Sequence, residues 1–562
     1  MNRILHPIIV LLILSSCGKK QEYDVAIRGG TVYDGSGKPG VLMDVGINGD
    51  TVAFIGDLSK AIGKTEIDAK GQAVAPGFIN MMSHAEESLL IDGDSQSDIR
   101  QGITLEVLGE GSMGPLSEKM KQDYLDRMKR IPDWKFTIDW TTLGEYLESL
   151  QRRGISPNVA SFVGISTIRI NQLGYENRAP KPDELERMKA LVKQAMEEGA
   201  MGTTCALIYA PDNYATTEEL IELSKVAAPY GGMYISHMRS EGNNILAAVD
   251  ETIRIAHEAN MPAEIYHLKM GGKSNWGKLD SVIAKIDKAN KSGLHISADM
   301  YNYTAGATGL DATMPPWVQE GGIKEWIKRL KNPAIRKKVL QEMRTPTNKW
   351  ENLLLNAGTP EGVLLLGFAN DSMKRYTGKT LGEVAKMYGK TPEETAMDLV
   401  IADSTRVETA YFLMSEENIK RQIKLPYLSF GSDAGSPTAA GMFLKYKDHP
   451  RAYGNFARLL GKYVRDEKVI PLEEAIRKLS SLPAGNLKIK KRGWLQPGYF
   501  ADVVVFDPGK IQDHATFENP HQYSTGVNHV FVNGVQVLKD GEHTHAKPGR
   551  IVRGPGHIEV RH

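Results

Sequence analysis

APGFINMMSHAEES, residues 75–88, opens on a Pro-Gly turn, runs through an apolar strand and ends in a polar loop carrying one histidine, His84. The same plan returns downstream. NVASFVG (158–164), GMYISHM (232–238), AEIYHLKM (263–270), HISADMYNY (295–303) and LSFGSDAG (428–435) are strand-like runs among stretches of helical periodicity. In PDELERMKALVKQAMEE (182–198), apolar side chains recur at three- and four-residue spacing and acidic residues gather at the start, as in an amphipathic helix. Strand then helix, repeated over about 400 residues, predicts a parallel α/β core, and a closed (β/α)8 TIM-like barrel fits that length. A doubly wound sheet is the alternative, but no GxGxxG follows a first strand.

Outside this core, residues 23–74 alternate short β-rich runs with Gly-Gly, Asp-Gly and Asn-Gly turns, and the same chemistry returns in PGYFADVVVFDP and VNHVFVNGVQVLKDGEH. The two chain ends, 18–75 and 486–562, are expected to complete one small β domain around a barrel spanning 76–485. Residues 311–367, containing PPWVQEGGIKEWIKRLKNP, read as a helical insertion placed as a lid over the active face.

Residues 1–17 read as an export signal. Arg3 precedes an apolar run, Ile8 to Leu14, shorter than the ~20 residues a spanning helix needs. LSSC (14–17) resembles a bacterial lipobox, which predicts cleavage before Cys17, lipid attachment there, and a periplasmic protein held to the cell envelope only through that anchor. Cys205 is then left without an intramolecular disulfide partner. A net charge of +1 over 562 residues gives no reason to expect nucleic acid, so a small-molecule substrate is the default. The oligomeric state cannot be read from the sequence.

Most histidines offer no chemistry. The literal His-x-His pair, His543 and His545, falls in GEHTHAKPG and reads as an exposed turn, a poor place to exclude water from a catalytic metal. His237, His267, Asp433 and Glu110 each end a predicted strand, where barrel enzymes place catalytic groups. Singly, each has a bland reading as a hydrogen-bonded core residue. Together, two neutral imidazoles and a carboxylate can hold Zn²⁺ and leave a position for water.

APGFI followed in order by SHMRSEG, IYHLKMGG, SADMYNYTAGATGL, GSDAG, HPRAYGNFAR and KRGWLQPGYFADVVVFDP resembles the N-acyl-D-amino-acid deacylases (D-aminoacylases) of the amidohydrolase superfamily. The resemblance runs from about Tyr23 to the C-terminus. It implies a (β/α)8 barrel with a small β-sandwich built from both chain ends, and a tightly held zinc whose ligands are a cysteine and two histidines. The histidines correspond to His237 and His267. The cysteine is missing: its neighbourhood here is GEGSMG, and Glu110 is taken as the replacing ligand. A His-x-His after the first strand serves a second, weaker metal position in the family. Met82 stands in place of its first histidine, so one metal is expected, with His84 left as a second-site remnant or a partner of Asp433.

The resemblance further implies hydrolysis of an N-acyl-D-amino acid to a carboxylate and a free D-amino acid. Asp433 would move the proton, and Tyr301, with Tyr303 in reserve, would hold the developing oxyanion. Arg451 and Lys269 would take the substrate carboxylate, and Tyr209 would line the active face. Cys205, in an apolar strand, reads as a buried small side chain. The rival expectations are another amidohydrolase reaction, such as cyclic amide or dipeptide hydrolysis, and an inactive lipid-anchored binding protein.

Overall fold

The chain builds half of a β domain before it reaches the barrel. In the computed structural model, which describes residues 21–131 and 134–559, the first strands are β1 (Glu22–Val32), β2 (Val41–Asn48), β3 (Thr51–Gly56), β4 (Ile62–Asp68) and β5 (Ala73–Pro76). The expected export signal and Cys17 lie outside the described residues. Next come β6 (Phe78–Ser83), β7 (Ile103–Leu108), β8 (Asn158–Ser161) with its continuation β9 (Val163–Gly164), β10 (Gly202–Ala206), β11 (Met233–His237), β12 (Ala263–Ile265) and β13 (Ile296–Met300). An excursion carries β14 (Ala305–Gly309), β15 (Val363–Gly367) and β16 (Glu408–Phe412) before β17 (Leu428–Phe430). The chain closes with β18 (Val503–Phe506), β19 (Val527–Val532), β20 (Val535–Lys539) and β21 (Glu542–His543).

Parallel pairings run β6–β7–β8 and β9–β10–β11–β12–β13–β17. The circle closes where the chain just past β17 meets the end of β6: Asp433 N donates to Met82 O at 3.0 Å and His84 N to Ala434 O at 2.9 Å. This is the expected (β/α)8 barrel. Its strands are buried throughout, because helices cover one face and the barrel core the other. Met82 packs in that core with Ile79, Leu105, Phe162, Ile235 and Tyr266.

Both chain ends share one nine-stranded sheet in the order β21-β20-β19-β18-β5-β1-β2-β3, with β4 also on β1. The seam is β5 against β18, where Ala75 faces Val504. Apolar side chains from the two ends, among them Ile27, Val45, Ile47, Val503, Val505 and Phe531, bury one another.

The excursion after β13 is larger than the helical segment expected at 311–367, and it is not purely helical. β14, β16 and β15 form an antiparallel sheet in that order, backed by the helices Ile323–Lys331, Pro333–Arg344, Leu381–Tyr388 and Pro392–Asp403. Trp326, Val339, Leu365, Leu399 and Tyr411 give this unit its own core. The strand AGATG escapes sequence reading because it has no β-branched run to mark it.

Candidate functional site

The sequence-predicted residues meet at the carboxyl ends of the barrel strands. His84 follows β6, Glu110 follows β7, Tyr209 follows β10, His237 ends β11, His267 follows β12, Tyr301 follows β13 and Asp433 follows β17. All of them line one cavity of about 710 Å³, whose opposite wall comes from the excursion through Thr308, Phe368, Arg406 and Tyr411.

Three of these side chains are aimed by unusual backbone. Glu110, His267 and Asp433 have φ of 64°, 34° and 50°, a region that costs a non-glycine residue about 1–3 kcal/mol. Specific contacts hold each one. Glu110 N donates to Thr204 Oγ1 at 3.1 Å, His267 N to Asp299 Oδ1 at 2.8 Å, and Asp433 N to Met82 O. Gly109 lets the chain turn there, since a Cβ at that position would fall 1.8 Å from the Tyr266 hydroxyl.

At the centre, Glu110 Oε1 lies 2.8 Å from His237 Nδ1 and 3.0 Å from His267 Nε2. The two imidazoles stand 4.4 Å apart, nearly perpendicular. Burial pushes the Glu110 carboxyl up, but the imidazoles of His237, His267 and His84 outweigh it and hold it well below the usual carboxylate range. Two imidazole nitrogens and one anionic oxygen converging on a single point form a donor set that suits a divalent transition metal.

Glu110 Oε2 faces a looser group. His84 Nε2 is 3.7 Å away and 3.2 Å from Asp433 Oδ1, and these three residues form a second candidate ligand set that shares Glu110. Burial lowers the His84 pKa, yet its hydrogen bond to Asp433 and the carboxylates of Glu110 and Glu86 push it up to about 9. Asp433 Oδ2 pairs with Arg451 Nη1 at 2.6 Å. Burial alone would raise the Asp433 carboxyl, but Arg451, His267 and His84 keep it below its ordinary value. The Arg451 guanidinium also lies 4.4 Å above the Tyr301 ring, and its Nε is buried without a partner.

The Tyr301 hydroxyl, raised far above its ordinary pKa by burial, likewise lacks a hydrogen-bond partner. Tyr209 packs edge-on against His237 at 5.3 Å and lies beneath Arg406 at 4.8 Å. Tyr303 is not brought to the cavity. β13 ends at Met300, strand alternation stops there, and the Tyr303 hydroxyl turns to Pro450 O at 3.4 Å with its ring under Arg458. Cys205 is buried on β10, with Sγ 3.1 Å from the Tyr234 hydroxyl, and takes no part in the cluster.

Sequence reading missed Glu241. Its carboxylate lies behind both central imidazoles, with Oε1 2.9 Å from His267 Nδ1 and Oε2 3.4 Å from His237 Nε2. Lys269 Nζ donates to Glu241 Oε1 at 2.6 Å and lies 2.6 Å from His267 Nδ1. Burial raises the Glu241 carboxyl, but His237, Lys269 and His267 bring it down to about 2. One anion thus lies behind the outer nitrogens of both imidazoles, closest to His267, while His237 Nε2 is buried without a hydrogen bond; a carboxylate in this position helps set tautomer and ring orientation around bound metals. The available signal was its place in SHMRSEG, four residues past His237.

His449 was also missed. Its Nδ1 accepts from Arg451 N at 3.0 Å and its Nε2 lies 2.9 Å from Ala305 O, which fixes the start of the helix carrying Arg451. The tail histidines need a correction as well. His545 is exposed, but His543 is buried, because β21 turns its ring inward against the loop holding Asp94.

Known proteins resemble the chain over nearly its whole length. A D-aminoacylase of Alcaligenes xylosoxydans xylosoxydans is 33% identical over 534 residues, covering 95% of this chain and 98% of that protein. A D-aminoacylase structure, described as having a binuclear centre with one-metal activation and second-metal attenuation, superposes with a TM-score of 0.78 at 32% identity, covering 94% of this chain and 100% of that one. The N-acyl-D-glutamate deacylase of Bordetella bronchiseptica, solved with zinc and a phosphonate mimic of the tetrahedral intermediate, superposes with a TM-score of 0.77 at 28% identity over 95% of this chain and 100% of that one. The amidohydrolase family pattern matches residues 65–538. With that match and a full-length likeness to amide-cleaving, metal-centred relatives, the chain belongs to the amidohydrolase family, hydrolases acting on amides.

Proposed function

We propose that this protein hydrolyses N-acyl-D-amino acids and does so with one tightly held divalent cation, zinc by preference. The observation that carries the reading is the convergence of His237 Nδ1 and His267 Nε2 on one Glu110 oxygen, in the cavity that also holds Asp433, Tyr301 and Arg451. Glu110, His237 and His267 would hold the cation, which when bound lowers the pKa of water and polarises a carbonyl.

The protein groups do the remainder. Asp433 takes a proton from the attacking water and returns it to the departing amide nitrogen, so that a carboxylate and an amine leave. His84, bonded to Asp433 Oδ1, orients that carboxylate. The unpartnered Tyr301 hydroxyl donates to the oxyanion as it forms. Arg451 shifts part of its pairing from Asp433 to the substrate α-carboxylate, whose two oxygens suit the guanidinium edge. Lys269, held by Glu241, adds positive charge on the same side.

Metal content and turnover of N-acetyl-D- and N-acetyl-L-amino acids, measured for wild type and Glu110→Ala, test the reading. One zinc equivalent that accompanies D-selective turnover, both lost in the variant, supports it. A metal-free, inactive wild type overturns it.

The lipobox-like LSSC motif supports a companion proposal, export with lipid attachment at Cys17 in the periplasm. Metabolic labelling with palmitate should mark the wild type and spare Cys17→Ala, and an unlabelled wild type would remove the anchor.

A further inference from the structure

Besides the two sets at the cavity, a third convergence of ligand-type side chains among the described residues lies elsewhere. Asp94, His543 and His545 each present one ligand atom within 4.8 Å of the others, and none of the three lines the cavity. His545 Nδ1 is 2.5 Å from Asp94 Oδ2, and His543 Nδ1 is 3.9 Å from the same oxygen. Asp94 and His543 are buried, while His545 is exposed. The His543 ring is under-satisfied: Nε2 is buried with no hydrogen-bond partner, and Nδ1, the nitrogen facing Asp94, accepts only the amide of His545 at 3.0 Å, a bond that a cation on Nδ1 would replace.

We infer that Asp94, His543 and His545 form a second, structural site for a borderline transition cation such as Zn²⁺, Co²⁺ or Ni²⁺, which fastens the C-terminal tail to the barrel. Two imidazoles and one carboxylate favour these ions over Mg²⁺ or Ca²⁺, which prefer an all-oxygen shell. The exposed side of His545 leaves room for water to complete the shell.

The position gives such an ion a mechanical consequence. Asp94 sits between two short helices that follow β6, whereas His543 ends β21 in the sheet built from both chain ends. From His545 the chain runs along the barrel base, where Gly549 N donates to Ile155 O at 2.8 Å, Val159 N to Arg550 O at 3.0 Å and Val552 N to Val159 O at 2.8 Å. A cation at the start of that run would pin the tail where it leaves the sheet and meets the barrel.

Two cations oppose the ion: Arg100, held on Gly541 O and Glu542 beside His543, and Lys547. Lys547 Nζ lies 3.5 Å from Asp94 Oδ1, competing for the same carboxylate, on a side chain exposed enough to swing away. Removing this ammonium should tighten metal binding, whereas a cluster held together only by ion pairs would be weakened by the same change.

The test uses the full chain with His237→Ala and His267→Ala, so that the proposed catalytic cation is excluded. Titration with Co²⁺, followed by visible absorption and by metal analysis after gel filtration, should give about one equivalent in this background. Adding His545→Gln, an exposed position that leaves the core intact, should weaken binding by at least about tenfold, and Lys547→Met should tighten it severalfold. The otherwise wild-type His545→Gln protein should lose one metal equivalent while keeping its activity. No Co²⁺ bound in the background protein, or binding unchanged by His545→Gln, overturns the site.

Discussion

Glu110 divides the cavity into two unequal halves. On the Oε1 side stand His237 and His267, with side chains only 6% and 2% exposed and the Glu241 carboxylate behind both. On the Oε2 side stands His84 alone, 35% exposed, beside an Asp433 already engaged by Arg451. The first half is buried, anionic and backed by a second carboxylate, as permanent retention of a cation requires. The second half has one imidazole and a carboxylate whose charge is shared with a guanidinium, so it suits proton transfer and substrate capture better than metal retention. Met82 explains part of this asymmetry. It packs into the apolar barrel core rather than facing the cavity, and the weak half is organised around His84 without it.

The largest expected effects test whether the halves are separable. Glu110→Ala should remove both the cavity metal and activity, since it leaves two facing imidazoles with no anion between them. Asp433→Asn should lower kcat by roughly 10²–10⁴-fold while the bound metal stays, because the lost function is proton transfer. Metal analysis alongside steady-state kinetics decides the matter. If Asp433→Asn also empties the protein of metal, both halves hold the cation and the division fails.

Glu241→Gln probes the brace. The variant keeps the shape but loses the charge that faces both imidazoles and Lys269, so metal affinity or activity should fall about 10–100-fold. The distinguishing readout is the metal dissociation constant. A pure structural role would lower thermal stability and leave that constant alone.

Arg451→Ala should raise KM by at least about tenfold, near 1.4 kcal/mol of lost binding, with kcat less affected. Because Arg451 also pairs with Asp433, the kinetic pKa assigned to Asp433 should rise in the variant, and Arg451→Lys should restore that value better than it restores KM. Unchanged KM for the D-substrates would remove Arg451 from the carboxylate site and leave it as a partner of Asp433 only.

The sequence carried the histidines of the strong half, and Asp433 of the other, more plainly than their support. His237, His267 and Asp433 close apolar strand runs, and strand ends in a barrel are where side chains meet, so their convergence was legible from position alone. Glu241 was not, because it lies in a loop with no periodicity to orient it. Its place depends on Glu351, from the excursion, whose Oε2 accepts Glu241 N at 2.8 Å across a sequence separation of 110. Tyr301 and Tyr303 share the spacing of one strand face, yet only Tyr301 reaches the cavity, since β13 stops at Met300. The burial of His543 was equally hidden, since its neighbour Asp94 comes from a loop at the far end of the sequence.

Glu351 supplies the smallest effect and asks how far the brace extends into the excursion. Its carboxylate also accepts Gly242 N at 3.2 Å, and burial together with the nearby Glu241 charge raises its pKa from 4.5 to about 7. A carboxyl whose folded value is raised contributes stability that is fully present below its unfolded value, near pH 4.5, and is lost as pH rises through about 7. Its side chain is half-buried, so solvent screening reduces the loss to about 1–2 kcal/mol. Glu351→Gln should therefore match the wild type near pH 4 and exceed it by that amount near pH 8 in denaturant melts, since a neutral amide can still accept both backbone N–H groups. If the two stability curves run parallel across that range, Glu351 does not titrate within the fold, and the support behind the strong half ends at Glu241 and Lys269.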